Sequence, residues 1–214
     1  MSDRRIRRRD QTRRALLDAA LALFAERGLY ATRVEDVTER IDLGKGAFYN
    51  YFESKDALVA ALVAEAVEQL AEHVRGRRNG AASPAELARL HQQFFDSHPH
   101  YLLLVHQARG LLQLKPDASP RLREVFREYL ACLAGIFIPR VPDADASDDE
   151  LAVAAAIAGT LTGTTSFRLA AGLSSQAEDL SRELVAHGLP PIVARIHRPA
   201  PGCSTTAEES EPQG

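Results

Sequence analysis

The chain has 214 residues, 45% of them hydrophobic, and a formal net charge of −3, which excludes a wholly disordered, highly charged polypeptide. Its basic residues are unevenly placed, because residues 1–55 carry 12 Lys/Arg against 9 Asp/Glu whereas the remainder carries 14 against 20. Only two cysteines, Cys132 and Cys203, are present, which excludes a disulfide framework and favours a reducing compartment.

Hydrophobic periodicity predicts helices in the first quarter of the chain. An apolar face at helical spacing runs from Leu16 to Phe24 and stops at Gly28, the residue type that most often follows a helix. Thr32 and Glu35 have the spacing of a capping box, which predicts the start of a second helix. The shared core of these elements is expected to contain Leu17, Leu23, Phe24, Val34, Val37, Ile41, Leu43, Phe48 and Phe52.

A third, very short helix follows a tight turn and is too small and polar to be a core element. Phe48 and Phe52 lie four residues apart and are expected to face inward, leaving an outer face whose groups bind phosphates and base edges. A DNA-binding helix-turn-helix is therefore predicted; the alternative is that the tyrosines pack and the lysine is merely solvated. The outer face comprises Lys45, Gly46, Ala47, Tyr49 and Asn50.

The rest of the chain is predicted to be helical too, giving an all-α fold of about nine helices with two parts. Helix N-caps are predicted at Ser54, Ser83, Ser119 and Ser147. Gly172 is expected to end one helix, and a last helix from about Ser175 should weaken near residues 188–191. The predicted organisation is a basic flexible arm at 1–9, a helix-turn-helix domain at 10–54, a helical effector-binding and dimerisation domain at 55–198, and a disordered tail at 199–214.

The segment Leu151–Phe167 contains no charged residue. Its Ala, Gly and Thr are only weakly apolar, so a buried helix is favoured over a membrane span. Small residues recur in it at three- and four-residue spacing, which would let another helix approach closely and form half of a four-helix bundle in a homodimer. Packing within one chain is the alternative. The residues concerned are Ala152, Ala155, Ala156, Gly159, Thr160 and Gly163, with Leu180, Leu184 and Val185 on the next helix.

The stretch from Leu16 to Leu58 resembles the TetR family of bacterial transcriptional regulators. The matching pieces are residues 19–28 (AALALFAERG), Thr32 with its following helix, and residues 45–55 (KGAFYNYFESK). The resemblance implies that operator DNA is contacted by Thr32, Arg33, Lys45, Gly46, Ala47, Tyr49, Asn50 and Lys55.

Three positions depart from the usual family pattern. Asp42 replaces the turn glycine but tolerates such a turn, so the turn is expected to survive. Gly44 replaces the usual capping Ser or Thr at a cost of only a few tenths of a kcal/mol. Ala47 replaces a common Thr and lacks its hydroxyl, so affinity is expected to depend on other groups.

In TetR relatives the central helical region encloses an effector cavity, so the resemblance implies a small, largely hydrophobic effector that changes the spacing of two recognition elements. Polar groups within apolar stretches are the candidate ligand-binding residues: His106, Gln107, Arg109, Tyr129 and Thr164. His91, His98 and His100 lie near His106 in the sequence, but their spacing does not suit a metal. No metal and no cofactor are expected.

The sequence thus predicts a bacterial, cytoplasmic homodimer that binds a palindromic operator in double-stranded DNA, represses transcription and is released by its effector. Enzyme motifs and a membrane span are not expected. A sequence-neutral architectural DNA-binding protein is the alternative, and a small-molecule-binding protein without DNA regulation is another. The seven arginines among the first 14 residues suit either a minor-groove arm or a solvated tail.

Overall fold

The computed structural model describes residues 2–77, 82–114, 119–139 and 145–197. Over these ranges the backbone forms nine α-helices and no strand, which confirms the all-α prediction. The helices are α1 (Ser2–Arg27), α2 (Val34–Glu39), α3 (Lys45–Phe48), α4 (Lys55–Arg77), α5 (Pro84–Ser97), α6 (Pro99–Leu114), α7 (Pro120–Phe137), α8 (Asp148–Ala171) and α9 (Gln176–Ile196).

The first three helices share the core expected from the sequence, except that Leu43 is only half-buried and lies outside it. Leu23, Phe24, Val37 and Phe48 are almost fully buried, and Val34 and Ile41 pack against them. Gly28 ends α1 with a φ of +86°, a conformation that a residue without a Cβ adopts at little cost. Ion pairs from Arg40 to Glu26 and from Arg27 to Asp36 also join α1 to α2.

The turn between α2 and α3 tolerates its departures from the family pattern. Asp42 has a φ of 55°, as expected for an Asp that replaces a turn glycine. Gly44 is the N-cap of α3 in extended backbone and has no side chain with which to cap. The helix-turn-helix geometry therefore survives both replacements.

The N-terminal arginines differ from their prediction. Residues 1–9 were expected to form a flexible arm, yet Ser2–Arg9 are the first turns of α1. Arg is a good helix former, and no Gly or Pro interrupts the sequence before Gly28. The Thr12 hydroxyl also donates to the Arg8 carbonyl oxygen at 3.0 Å.

The helical body is built on α4, which packs against α5, α6 and α7. The serine N-caps behave as predicted: Ser83 and Ser119 accept backbone N–H groups of α5 and α7, and Ser54 accepts the Ala57 N–H of α4. Ser147 and Glu150 form the expected capping box of α8. Gly172 ends α8 with a φ of +64°.

Helix α9 is longer than the sequence suggests. A weakening near residues 188–191 was expected, but α9 continues through Pro190 and Pro191 to Ile196. The prolines remove backbone donors, yet Leu189 is buried and Val193 and Ile196 pack against the core, so tertiary packing holds the helix together.

None of the helices described here is both long and apolar enough to cross a membrane. The predicted tail at 199–214 lies outside the described residues.

Candidate nucleic-acid interface

The candidate interface is the outer surface of α3 and the turn that follows it. Phe48 and Phe52 face inward as predicted, with their ring centroids 5.7 Å apart, and are 1% and 5% exposed. Hydrogen bonds from the N–H groups of Tyr51 and Phe52 to the Phe48 carbonyl oxygen fold the chain tightly behind α3. The two phenylalanines thereby anchor a single helical turn on the core of the domain.

The polar residues of this turn point outward. Tyr49 is 52% exposed, and Lys45 and Asn50 are exposed beside it. The Phe48 and Tyr49 rings meet edge to face at 5.4 Å, which supports the tyrosine without covering its hydroxyl side. A Cβ at Gly46 would meet nothing within 4 Å, so this backbone is open to close approach.

A carboxylate that the sequence analysis missed sits on the same surface. Glu35 of α2 pairs with Lys45 through Oε1 and Nζ at 2.5 Å, and both side chains are about half exposed. The Lys45 ammonium lowers the pKa of Glu35, and Glu35 raises the pKa of Lys45. In the free protein Lys45 is therefore engaged by an internal anion that any phosphate must displace. The sequence offered one indication of this pair, because Glu35 is an acidic residue in the first turn of α2.

Two of the eight predicted DNA contacts also have hydrogen-bond partners within the chain. The Thr32 side chain is fully buried, and its hydroxyl donates to the Gly28 carbonyl oxygen at 2.8 Å. Lys55 Nζ donates to the carbonyl oxygens of Leu29 and Thr32, each at 3.0 Å. Both groups stabilise the turn between α1 and α2, because they satisfy carbonyls that the helix end leaves without partners.

The start of α2 also differs by one residue from its prediction. Arg33, not Thr32, is the N-cap, and its N–H donates to Asp36 Oδ2 at 2.7 Å in place of the expected Glu35. The shift follows from the burial of Thr32, whose hydroxyl is already used. Arg33 itself is exposed at the start of α2, and Ala47 is half-buried in α3.

The five candidate ligand-binding residues have different hydrogen-bond partners within the chain. Arg109 Nη2 donates to His106 Nδ1 at 3.0 Å, and His106 Nε2 lies 2.6 Å from Ser166 Oγ of α8. Burial lowers the pKa of His106. Tyr129 is buried with its hydroxyl 3.1 Å from His91 Nε2. The Thr164 hydroxyl donates to its own helix, at the Thr160 carbonyl oxygen.

Gln107 has an unexpected position between the two parts of the chain. Its Oε1 accepts the N–H of Leu29 at 2.5 Å, so α6 binds the turn that follows α1. The same amide lies near the end of α1, with Nε2 3.5 Å from the Phe24 carbonyl oxygen. Gln107 therefore connects the helical body directly to the helix-turn-helix, a role that its place in an apolar stretch did not reveal.

No group of His, Cys, Asp and Glu side chains in the described ranges is arranged to hold a metal ion. Cys132 is a free, partly covered thiol whose pKa is raised by burial.

Comparison with known proteins identifies the family. The model of the bacterial regulatory proteins of the TetR family matches residues 16–62, the segment that contains the recognition turn. The HTH-type transcriptional repressor KstR2 of Mycobacterium tuberculosis is 34% identical over 95 residues, which cover 43% of this chain and 48% of the relative. Residues 16–62 therefore belong to the TetR family.

Other relatives agree with this membership. The fatty acid metabolism regulator protein of Bacillus subtilis is 26% identical over 124 residues, covering 56% of this chain and 63% of that protein. The matched regions thus span about half to two thirds of these TetR relatives. The relatives are transcriptional regulators and not enzymes.

Solved structures extend the likeness of the fold to the helical body. The fatty acid degradation regulator FadR of Bacillus halodurans superposes with a TM-score of 0.60 at 18% identity, over 83% of this chain and 96% of that chain. A transcriptional regulator of Rhodococcus sp. Rha1 superposes with a TM-score of 0.62, also at 18% identity, over 82% and 96%. The TetR architecture, with an N-terminal helix-turn-helix and a C-terminal helical domain, therefore covers most of the chain.

Proposed function

We propose that the chain is a transcriptional repressor that binds a palindromic operator in double-stranded DNA as a homodimer. The observation that carries this proposal is the outward exposure of Lys45, Tyr49 and Asn50 on a turn anchored by two buried phenylalanines. These side chains suit phosphate and base-edge contacts, and the open backbone at Gly46 permits a close approach to the duplex. Arg33 at the start of α2 and Ala47 in α3 are included in the proposed contact set.

A dimer is needed because one short recognition turn makes a small interface with DNA. Two copies reading half-sites about one helical turn apart would double the contacts. The outward face of α8 and α9 supports such a dimer, since Ala155, Ala156 and Gly159 are exposed and Leu184 is 68% exposed. A groove of about 390 Å³ runs along this face between the two helices.

Release by a small, largely hydrophobic effector is proposed for the helical body. Two relatives named above carry fatty acid metabolism or degradation in their names, which makes fatty acyl compounds the first class to test. His106, Arg109, Tyr129 and Thr164 remain candidates for effector contact. Gln107 is proposed to transmit the response rather than to bind the effector, because its amide is already occupied by Leu29.

The proposal is tested by selecting operators from random duplexes with the purified protein and footprinting the result. A repressor of this kind protects a short palindrome, whereas an architectural DNA-binding protein enriches no sequence. Asn50→Ala should relax base preference at one position of each half-site and cost about 1–3 kcal/mol of discrimination there. Tyr49→Phe should weaken binding to all sequences alike, because the proposed partner of the hydroxyl is a phosphate.

The matched control is Gln113→Ala on α6, which removes an exposed amide far from the recognition turn in the sequence. This variant should retain both the affinity and the preference of the parent protein. A selection that enriches no palindrome, or an Asn50→Ala variant with unchanged base preference, contradicts the proposed function. Titration of the operator complex with fatty acids and acyl thioesters then tests release.

A further inference from the structure

The N-terminal part of α1 forms a helical extension of the DNA-binding domain. Leu16 and Leu17 are the first residues of α1 that the core buries, and residues 5–11 are exposed. At 1.5 Å per residue, Arg5 lies about 16 Å along the helix axis from Leu16. No glycine or proline separates the extension from the packed part of α1, so both belong to one helix.

The extension is also held close to the recognition turn. The guanidinium carbon of Arg13 lies 5.1 Å from the centroid of the Phe52 ring, which is the inner anchor of that turn. Arg14 is paired with Asp18 of α1 itself and with Glu65 of α4, so this level of α1 is also tied to α4. The extension therefore continues from a part of α1 that contacts both α4 and the inner anchor of the recognition turn.

The charges on the extension favour a polyanionic partner. Arg5 and Arg9 lie four residues apart, as do Arg9 and Arg13, and Arg8 is three residues from Arg5. Like charges at these spacings repel one another along a helix, and cations are unfavourable near a helix N-terminus. Between Arg5 and Arg13 the helix rises about 12 Å, a length over which duplex DNA presents about seven phosphate charges.

The helical form excludes the minor groove as the binding site of this extension. An α-helix with its side chains is about 10–12 Å wide, whereas the minor groove of B-DNA is about 6 Å wide. A minor groove that is not widened therefore admits a basic segment only in extended form. The phosphates beside the half-site remain accessible to a helix of this width.

We propose that residues 5–13 of α1 remain helical on DNA and contact the phosphates flanking each half-site, without entering the minor groove. The proposal rests on the proposed function only for the identity of the half-site. The extension is expected to contact duplex DNA whatever the sequence of the flanks, because phosphate contacts carry no base information.

The test measures the salt dependence of binding for R5Q/R8Q/R9Q in the full chain. Gln has a helix propensity close to that of Arg, so the helix is kept while three charges are lost. The slope of log affinity against log salt should become shallower by up to about 2.7. Over a fourfold rise in salt, the parent protein then loses about 40-fold more affinity than the variant.

The matched control is R75Q/R77Q/R89Q, which removes three arginines from the C-terminal end of α4 and from α5. Its slope should equal that of the parent protein, because these residues belong to the helical body. Equal slopes for the parent and R5Q/R8Q/R9Q would overturn the proposal, and so would an equal change in both triple variants.

A second measurement distinguishes a helix on phosphates from an extended arm in the groove. Flanks rich in A·T, G·C or inosine·C pairs differ in the groups of the minor groove, because inosine lacks the guanine N2 amine. The affinity of the parent protein should be the same for all three flanks. The affinity of Q11G/T12G should be lower, because its two glycines weaken the helix just after Arg5, Arg8 and Arg9. A flank preference, or full affinity in the glycine variant, contradicts the helical contact.

The outcomes separate this proposal from the proposed function. A protein that selects a palindrome but shows no slope change in R5Q/R8Q/R9Q keeps the function and loses the phosphate contact. A protein without sequence preference whose slope does change keeps the contact and loses the function. Failure to bind any duplex at low salt contradicts both.

Discussion

At the scale of single residues, the ion pair between Glu35 and Lys45 shows that the recognition turn is restrained before DNA arrives. Lys45 has its internal partner at 2.5 Å on the surface where a phosphate is expected. Because both side chains are well exposed, this pair competes with DNA without contributing much to stability.

Glu35→Gln is therefore expected to raise the affinity for the operator a few-fold, because Lys45 no longer has to exchange a carboxylate for a phosphate. Fluorescence anisotropy with a labelled operator measures the change. The control is Glu39→Gln, which removes the same charge from an exposed position one turn later on α2. Equal gains in the two variants would attribute the effect to net charge and contradict the specific pair.

His91 gives a second expectation at this scale. Burial lowers its pKa to about 3, and its Nδ1 has no hydrogen-bond partner, so the folded protein holds the ring neutral. The unfolded chain takes up a proton at this ring below about pH 6.5, whereas the folded chain does not. Stability should therefore fall with decreasing pH by about 1.4 kcal/mol per pH unit from this residue, between about pH 6 and pH 4.

His91→Gln should remove that part of the pH dependence whatever its effect on stability at neutral pH. Urea unfolding of parent and variant at several pH values measures the difference between the two slopes. The exposed His187, changed to Gln, serves as the control and should leave the slope as it is in the parent. Parallel slopes for the parent and His91→Gln would show that His91 is not held neutral.

At the scale of helices, capping residues and glycines in the sequence predicted most helix boundaries. These predictions failed where a tertiary contact, rather than a local hydrogen bond, engages the side chain. Serine caps and terminal glycines act within a few residues, so they could be recognised in the sequence. Thr32 looked like a helix cap and a DNA contact, but its hydroxyl is used by the end of α1. Lys55 likewise binds two carbonyls 23 and 26 residues away, which no local pattern encodes.

Helix α9 provides the prediction that belongs to this scale. Pro190 and Pro191 are exposed within it, and each removes a backbone donor from the helix interior. P190A/P191A is expected to raise the free energy of unfolding by about 1–3 kcal/mol, because the restored hydrogen bonds outweigh the greater freedom of the unfolded chain.

Urea denaturation at a fixed protein concentration measures this change. Proline replacement at Pro120 is the matched control, because that residue is the first of α7 and its missing N–H would have no partner in any case. Pro120→Ala should therefore give no comparable gain. A double variant at 190 and 191 that is no more stable than the parent would show that packing had already offset the two prolines.

At the scale of the whole molecule, the two parts of the chain differ in how far the sequence describes them. The helix-turn-helix core is short-range and strongly patterned, so its residues could be predicted almost one by one. The candidate ligand contacts could not, because apolar stretches do not reveal which polar group meets which neighbour. Tyr129 with His91, and His106 with Ser166, are pairs between helices that are distant in the sequence.

The outward face of α8 gives a prediction at this scale. A Cβ at Gly159 would meet nothing within 4 Å in the single chain, so a larger side chain there is harmless to the monomer. Gly159→Glu should therefore fold normally but elute near the 23.4 kDa of one chain and bind the operator far more weakly. Light scattering coupled to size exclusion, together with operator titration, makes the comparison.

Gly135→Glu on α7 is the control, because that glycine is also exposed with open space around it. This variant should keep the mass and the operator affinity of the parent. If Gly159→Glu retains both as well, the face of α8 is not the subunit interface.

Because the Leu29 N–H donates to Gln107, this backbone amide is a probe of the contact between the two parts of the chain. Leu29 lies beyond the end of α1, and its N–H donates to a side chain 78 residues away rather than to a helical carbonyl. Its deuterium uptake requires this hydrogen bond to open, so exchange at this single backbone position reports on the contact between the helical body and the helix-turn-helix.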